Sequence, residues 1–141
     1  MIRHTGPYES IGPVFERLWG WVSSRHVRVL RTVGLYYDNA EEVPSSQLRS
    51  AAAVEVPLDY LLTDAAGLPI TIETVTGGDY AMTTYVGPYE GLAAVWAQLA
   101  DYAEKRLKRT ISQNPAYEVY VNDPEDTPAE RLITELYMPL E

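Results

Sequence analysis

Two stretches of the chain carry apolar residues at helical spacing. Ile11, Val14, Phe15, Leu18 and Val22 form one stripe, and Leu92, Val95, Trp96, Leu99, Ala103 and Leu107 form another. Each predicts an amphipathic helix of about four turns. Pro88 stands just ahead of the second stripe, where a helix begins. Pro13 suits the first only inside its opening turn, so that helix should start near Ser10. Shorter β-like runs surround the stripes: Ile2–Thr5 and Tyr80–Val86 ahead of them, residues 29–37 and 51–57 after the first, and 117–121 and 132–139 after the second. A further run, "PITIETV" at 69–75, is expected to pair with Tyr80–Val86 through the turn "TGGD". That double glycine opens no helix, which argues for a hairpin turn over a phosphate loop.

The order strand, helix, strand, strand thus occurs twice, and the letters repeat with it. "GPYE" stands at 6–9 and at 87–90, and with an offset of 81 the match runs on to Leu18 and Leu99. "YYDNAEEVP" (36–44) matches "YVNDPEDTP" (120–128) at an offset of 84, and "VPL" (56–58) matches "MPL" (138–140) at 82. Three blocks in one order with slowly drifting offsets indicate an internal duplication with indels in loops. The expected organisation is a single domain over 1–141, with repeat one at 1–58, a linker at 59–68 and repeat two at 69–141.

Composition narrows the function. A chain of 141 residues, 46% apolar, can bury a core without staples. It contains no cysteine, so disulfides, thiolate metal sites and cysteine nucleophiles are out. No window approaches the roughly 18 apolar residues of a membrane span. The start "MIRHTGPYES" shows no signal peptide, and a cytoplasmic location is expected. The net charge of −9 argues against direct nucleic-acid binding and favours cationic partners. "EKRLKR" (104–109) suits a helix C-terminus. His4 and His26 lack metal-ligand spacing, and Asp38, Glu41, Glu42, Asp123, Glu125 and Asp126 read as solvated loop charges. No metal or cofactor is expected.

"GPYE", "YYDNAEEVPSSQLR", "VEVP", "ETVTGGDYA", "GPYEGLAAVW", "YEVYVND" and "TELYMPL" together resemble the GyrI-like small-molecule-binding domain. That domain occurs as a free-standing gyrase inhibitory protein and as the effector-binding half of AraC-type and MerR-type regulators. The resemblance covers nearly the whole chain. It implies an α+β fold in which the duplicated unit forms a curved antiparallel sheet, with two helices on one side and a ligand cleft near the pseudo-twofold axis. No DNA-binding domain is expected beside it. Relatives usually carry a further strand before the first GPY, so a short first edge leaves room for a homodimer.

In the resembled family a glutamate of the last strand sits on the cleft floor, and Glu135 is the position matched to it. Strand alternation sets Glu135 beside Tyr137, away from Leu132, Leu136 and Met138. At an offset of 82 the first copy has Ala53 in its place, so the duplication is broken there. Tyr37, Tyr85, Tyr89 and Tyr137 are cleft candidates. Trp96 and Tyr120 are candidates that their equivalents Phe15 and Tyr36 also allow as core. Glu135 can equally be an exposed strand residue or a partner of Arg131. With 11 tyrosines and one phenylalanine, ring surface with polar tips is abundant.

These residues point to a binding protein that captures amphipathic, cationic aromatic compounds for sequestration or sensing. One alternative is a gyrase-inhibitor-like role, with gyrase or a regulator as partner. Another, implied only by the resemblance to GyrI-like proteins, is a hydrolase of electrophilic cyclopropane-bearing toxins, with Glu135 as general base. Enzymatic activity is left open, with binding favoured.

Overall fold

The computed structural model describes residues 1–75 and 77–141. The chain divides into two compact units, Met1–Val75 and Thr76–Glu141. Each runs strand, 3-10 turn, helix, strand, 3-10 turn, strand, and the strands of each pair antiparallel. The fold class is α+β. In the first unit β1 (Ile2–Thr5) and β2 (Arg31–Tyr36) flank β3 (Arg49–Glu55) beneath α1 (Gly12–Arg25). In the second, β4 (Tyr80–Val86) and β5 (Ala116–Tyr120) flank β6 (Ile133–Pro139) beneath α2 (Leu92–Lys105). Among the described residues no helix is long and apolar enough to cross a membrane.

The two helical stripes are the two cores. Ile11, Val14, Leu18 and Val22 pack with Ile2 and Ala52. Leu92, Leu99 and Ala103 pack with Ala81, Leu136 and Met138. Leu18 and Leu136 are fully buried, each worth roughly 1.5–3 kcal/mol relative to exposure. Helix α1 begins at Gly12 with Pro13 in its first turn, two residues later than expected, because a 3-10 turn occupies Tyr8–Ser10. It ends where His26 takes a left-handed φ of 51° and its N–H reaches back to the carbonyls of Val22 and Ser23. Helix α2 stops at Lys105, so Leu107 lies outside it and is exposed.

The repeated GPYE builds the same turn in each unit. Gly6 and Gly87 have φ of 136° and 152°, values that L side chains rarely adopt. Their N–H groups donate to Leu48 O at 2.8 Å and Leu132 O at 2.9 Å. Pro7 and Pro88 then precede the 3-10 turns, whose tyrosines lie edge-on to strand tyrosines: Tyr8 to Tyr36 at 4.9 Å and Tyr89 to Tyr120 at 5.7 Å. A side chain of the preceding strand braces each turn. Tyr85 donates its hydroxyl to Pro88 O at 2.9 Å, and His4 Nε2 lies 3.0 Å from Ser10 Oγ.

Residues 59–75 depart from expectation. They fold with the first unit rather than serving as a linker and the opening strand of the second. Tyr60, Leu62, Ala65 and Leu68 pack on the α1 core, because that core still presents Trp21 and Ile2 to cover. The expected strand 69–75 is not formed as such. Ile70 makes a single antiparallel bridge to Ile2, and Met1 and Thr71 exchange backbone hydrogen bonds of 2.8 and 3.0 Å. The edge of β1 is thereby covered in part by its own chain. The turn expected at 76–79 includes Thr76, which lies outside the described residues.

Candidate functional site

The register of the strands sets which residues share a face. Tyr36 pairs with Ser50 and Tyr120 with Thr134, so β3 and β6 correspond at an offset of 84 rather than 82. Glu135 therefore corresponds to Ala51, not Ala53. Ser50 and Thr134 are both fully buried, and among the described residues neither hydroxyl has a hydrogen-bond partner.

On the face of β5 that α2 covers, alternation brings Glu118 beside Leu136 and Tyr120 beside Thr134. Glu118 is only 4% exposed. Its Oε2 accepts the indole N–H of Trp96 at 2.6 Å, and its Oε1 accepts the hydroxyl of Tyr120 at 2.7 Å. An ionised carboxylate out of water costs several kcal/mol unless such donors offset it. Tyr89 closes the group, edge-on to Tyr120. Burial foremost, then the charges of Asp123 and Glu118, push the Tyr89 hydroxyl above its usual pKa, so it remains a neutral donor.

At the equivalent positions of the first unit, Trp96 is replaced by Phe15 and Glu118 by Gly34. The tyrosine pair is kept, since Tyr8 and Tyr36 stand where Tyr89 and Tyr120 do. Between these equivalent positions, the second unit thus adds a carboxyl group and an indole donor.

Glu135 lies on the other face of β6, half-buried, opposite Thr84 and Val119. Tyr137 donates to its Oε1 at 3.0 Å. Tyr117 stacks on Tyr137 with centroids 4.6 Å apart, as cross-strand partners do, and Tyr80 meets both rings edge-on. So Trp96, Tyr89 and Tyr120 are brought together around Glu118, whereas Glu135 and Tyr137 form a separate cluster. Tyr85 shares the α2 face, but its hydroxyl is committed to Pro88. Tyr37 belongs to the first unit, where Arg3 stands 5.8 Å over its ring and its hydroxyl donates to Met1 Sδ at 3.9 Å. Burial raises its pKa, with Arg3 opposing.

Glu118 escaped the sequence reading, as did Tyr117 and Tyr80. Its signal was present in "YEVY", where the glutamate falls in phase with Tyr120 on a strand whose first-unit counterpart carries glycine.

The same α+β order of elements thus occurs in both units, and one of them holds a buried carboxylate among aromatic rings. The whole chain, residues 1–141, matches the GyrI-like small molecule binding domain, and the chain belongs to that family. It is 33% identical over 120 residues to a DNA gyrase inhibitor of Klebsiella pneumoniae (strain 342), a match that spans 84% of this chain and 75% of the relative. Two solved structures share the fold. One is SAV2435 bound to tetraphenylphosphonium, with a TM-score of 0.65, 17% identity and coverage of 99% of this chain and 86% of that one. The other is EcmrR in its DNA complex, at 0.68 and 16%, where 99% of this chain covers 52% of the larger protein.

Proposed function

We propose that the protein binds amphipathic cationic aromatic molecules, with the Glu118 carboxylate as counter-charge and Trp96, Tyr89 and Tyr120 as ring surface. The observation that carries this reading is the carboxylate of Glu118, enclosed at 4% exposure and oriented by Trp96 and Tyr120. A cation beside it gains a charge partner in a region poor in water, and each aromatic face adds roughly 0.5–2 kcal/mol. The net charge of −9 raises the local concentration of cations. Tetraphenylphosphonium, held by a structural neighbour, has this chemistry. The role is capture or sensing, and the charge-reading position moves from Glu135 to Glu118.

A thermal-shift comparison of tetraphenylphosphonium with neutral triphenylphosphine oxide tests the reading. A cation at 100 times its Kd adds roughly 2.7 kcal/mol of stability, and the neutral compound should add much less. Equal shifts, or none, would contradict it. The name of the Klebsiella relative favours a second reading, inhibition of DNA gyrase by an acidic protein surface. Gyrase supercoiling assays with the purified chain test that reading, which predicts loss of supercoiling without any added ligand.

A further inference from the structure

We propose that the first unit carries a second small-molecule site, at the C-terminal end of α1, for aromatic anions of one or two rings. A cavity of about 340 Å³ lies there, against residues 60–64, with Trp21, Arg25, His26, Arg28, Tyr60 and Leu61 in its lining. That volume is at the small end of ligand pockets, which run from about 300 to 1,000 Å³. Its walls are set by the fold. His26 closes the helix in a left-handed conformation, and Val27 N–H returns to Val22 O. Across the cavity Asp64 is held by three donors: Trp21 Nε1 to its carbonyl at 2.9 Å, Ala66 N to its Oδ1 at 2.8 Å, and Arg25 to its Oδ2 at 2.8 Å.

These bonds define the ligand chemistry. Asp64 neutralises Arg25, and the Trp21 indole N–H is already committed, so that residue offers only ring surface. Arg28 makes no ion pair or side-chain hydrogen bond among the described residues. It stands three residues past the end of α1, beyond the turn where a helix dipole would account for it. Leu61 is left 78% exposed at the same rim. A planar guanidinium beside the half-buried Tyr60 ring, the margin of the buried Trp21 ring and an exposed leucine suits a carboxylate or sulfonate carried on an aromatic body. The overall charge of −9 repels simple anions, so ring burial must supply part of the affinity and selects amphipathic ones.

The test titrates the full chain with naphthalene-2-sulfonate and, separately, with tetraphenylphosphonium. Arg28→Glu should weaken the sulfonate by roughly tenfold or more, the effect of losing a charged hydrogen bond, and leave the phosphonium unchanged. Glu118→Gln should leave the sulfonate unchanged. Arg28 is exposed, so melting curves of the variant should match the parent; should Arg28→Glu unfold the chain, Arg28→Gln gives the same readout with a smaller loss. Sulfonate binding that survives both Arg28 variants, that falls with Glu118→Gln instead, or that is absent from the parent protein would overturn the proposal.

Discussion

Trp96 donates its indole hydrogen to Glu118 across 2.6 Å, whereas Phe15 and Gly34 hold the same two positions in the first unit. The contrast isolates what the second unit adds. Trp96→Phe keeps a ring over the core and removes the donor. A buried acceptor that loses a partner costs about 1–3 kcal/mol, and urea unfolding should show a loss in that range. Phe15→Trp, which puts an indole where no carboxylate waits, should bring no comparable gain.

Gly87 and Gly6 share a backbone conformation but not their surroundings. A Cβ on Gly87 would lie 2.7 Å from the Tyr85 hydroxyl, whereas one on Gly6 would meet His4 no closer than 3.5 Å. Both alanine variants strain the backbone at a cost of about 1 kcal/mol or more. Gly87→Ala should cost more, and Tyr85→Phe in the same chain should recover part of the difference. Thermal melts of these three variants and the parent measure it.

Asp38 and Asn122 do one job in the two units. Asp38 Oδ2 accepts the backbone N–H of Arg49 at 2.8 Å, and Asn122 Oδ1 accepts that of Ile133 at 2.9 Å. Asp38→Asn should therefore keep the bond that matters and cost little, while Asp38→Ala leaves a strand N–H without its acceptor and should cost about 1 kcal/mol. Hydrogen bonds from the Arg49 side chain, chiefly, hold the Asp38 carboxyl below its usual range despite some desolvation. A depressed carboxyl contributes stability that is present above its unfolded pKa and lost as pH falls through the folded value. Stability of the parent should thus decline as pH drops below about 4, and Asp38→Asn should flatten that decline.

Ser50 and Thr134 are buried hydroxyls with no hydrogen-bond partner among the described residues, at equivalent places under the two helices. Removing such a group is neutral or favourable when shape is kept. Thr134→Val should leave stability unchanged or raise it by up to about 1 kcal/mol, and Ser50→Ala should be close to neutral. A clear loss in denaturant melts would mean that each hydroxyl has an acceptor after all.

Much of this fold can be read along the chain because its signals are local. The stripes from Ile11 to Val22 and from Leu92 to Ala103 need only helical spacing, and the GPYE turn needs only a glycine followed by a proline. The α2 end at Lys105 and the fate of residues 69–75 were harder, since Leu107 keeps the helical phase and "PITIETV" alternates like any strand. The first unit's uncovered core, with Trp21 at its margin, decides where that segment goes. The site required strand register. "VPL" and "MPL" align by letters at 82, but the hydrogen-bonded ladders align at 84. The phase that Glu118 shares with Tyr120 is legible in "YEVY", but its bond to Trp96 emerges only with Tyr120 opposite Thr134 and the indole reaching β5.

On the proposed function, the Glu118 carboxylate distinguishes a cationic ligand from a neutral one. Isothermal titration of tetraphenylphosphonium into the parent protein and Glu118→Gln, with triphenylphosphine oxide as the neutral control, tests it directly. Glutamine keeps the acceptor for one donor and removes the charge, so affinity for the cation should fall by roughly 2–5 kcal/mol while that for the neutral compound changes little. Glu135→Gln, run alongside, should leave both affinities near the parent values. Equal losses for cation and neutral compound on Glu118→Gln, or a loss confined to Glu135→Gln, would exclude Glu118 as the group that senses ligand charge.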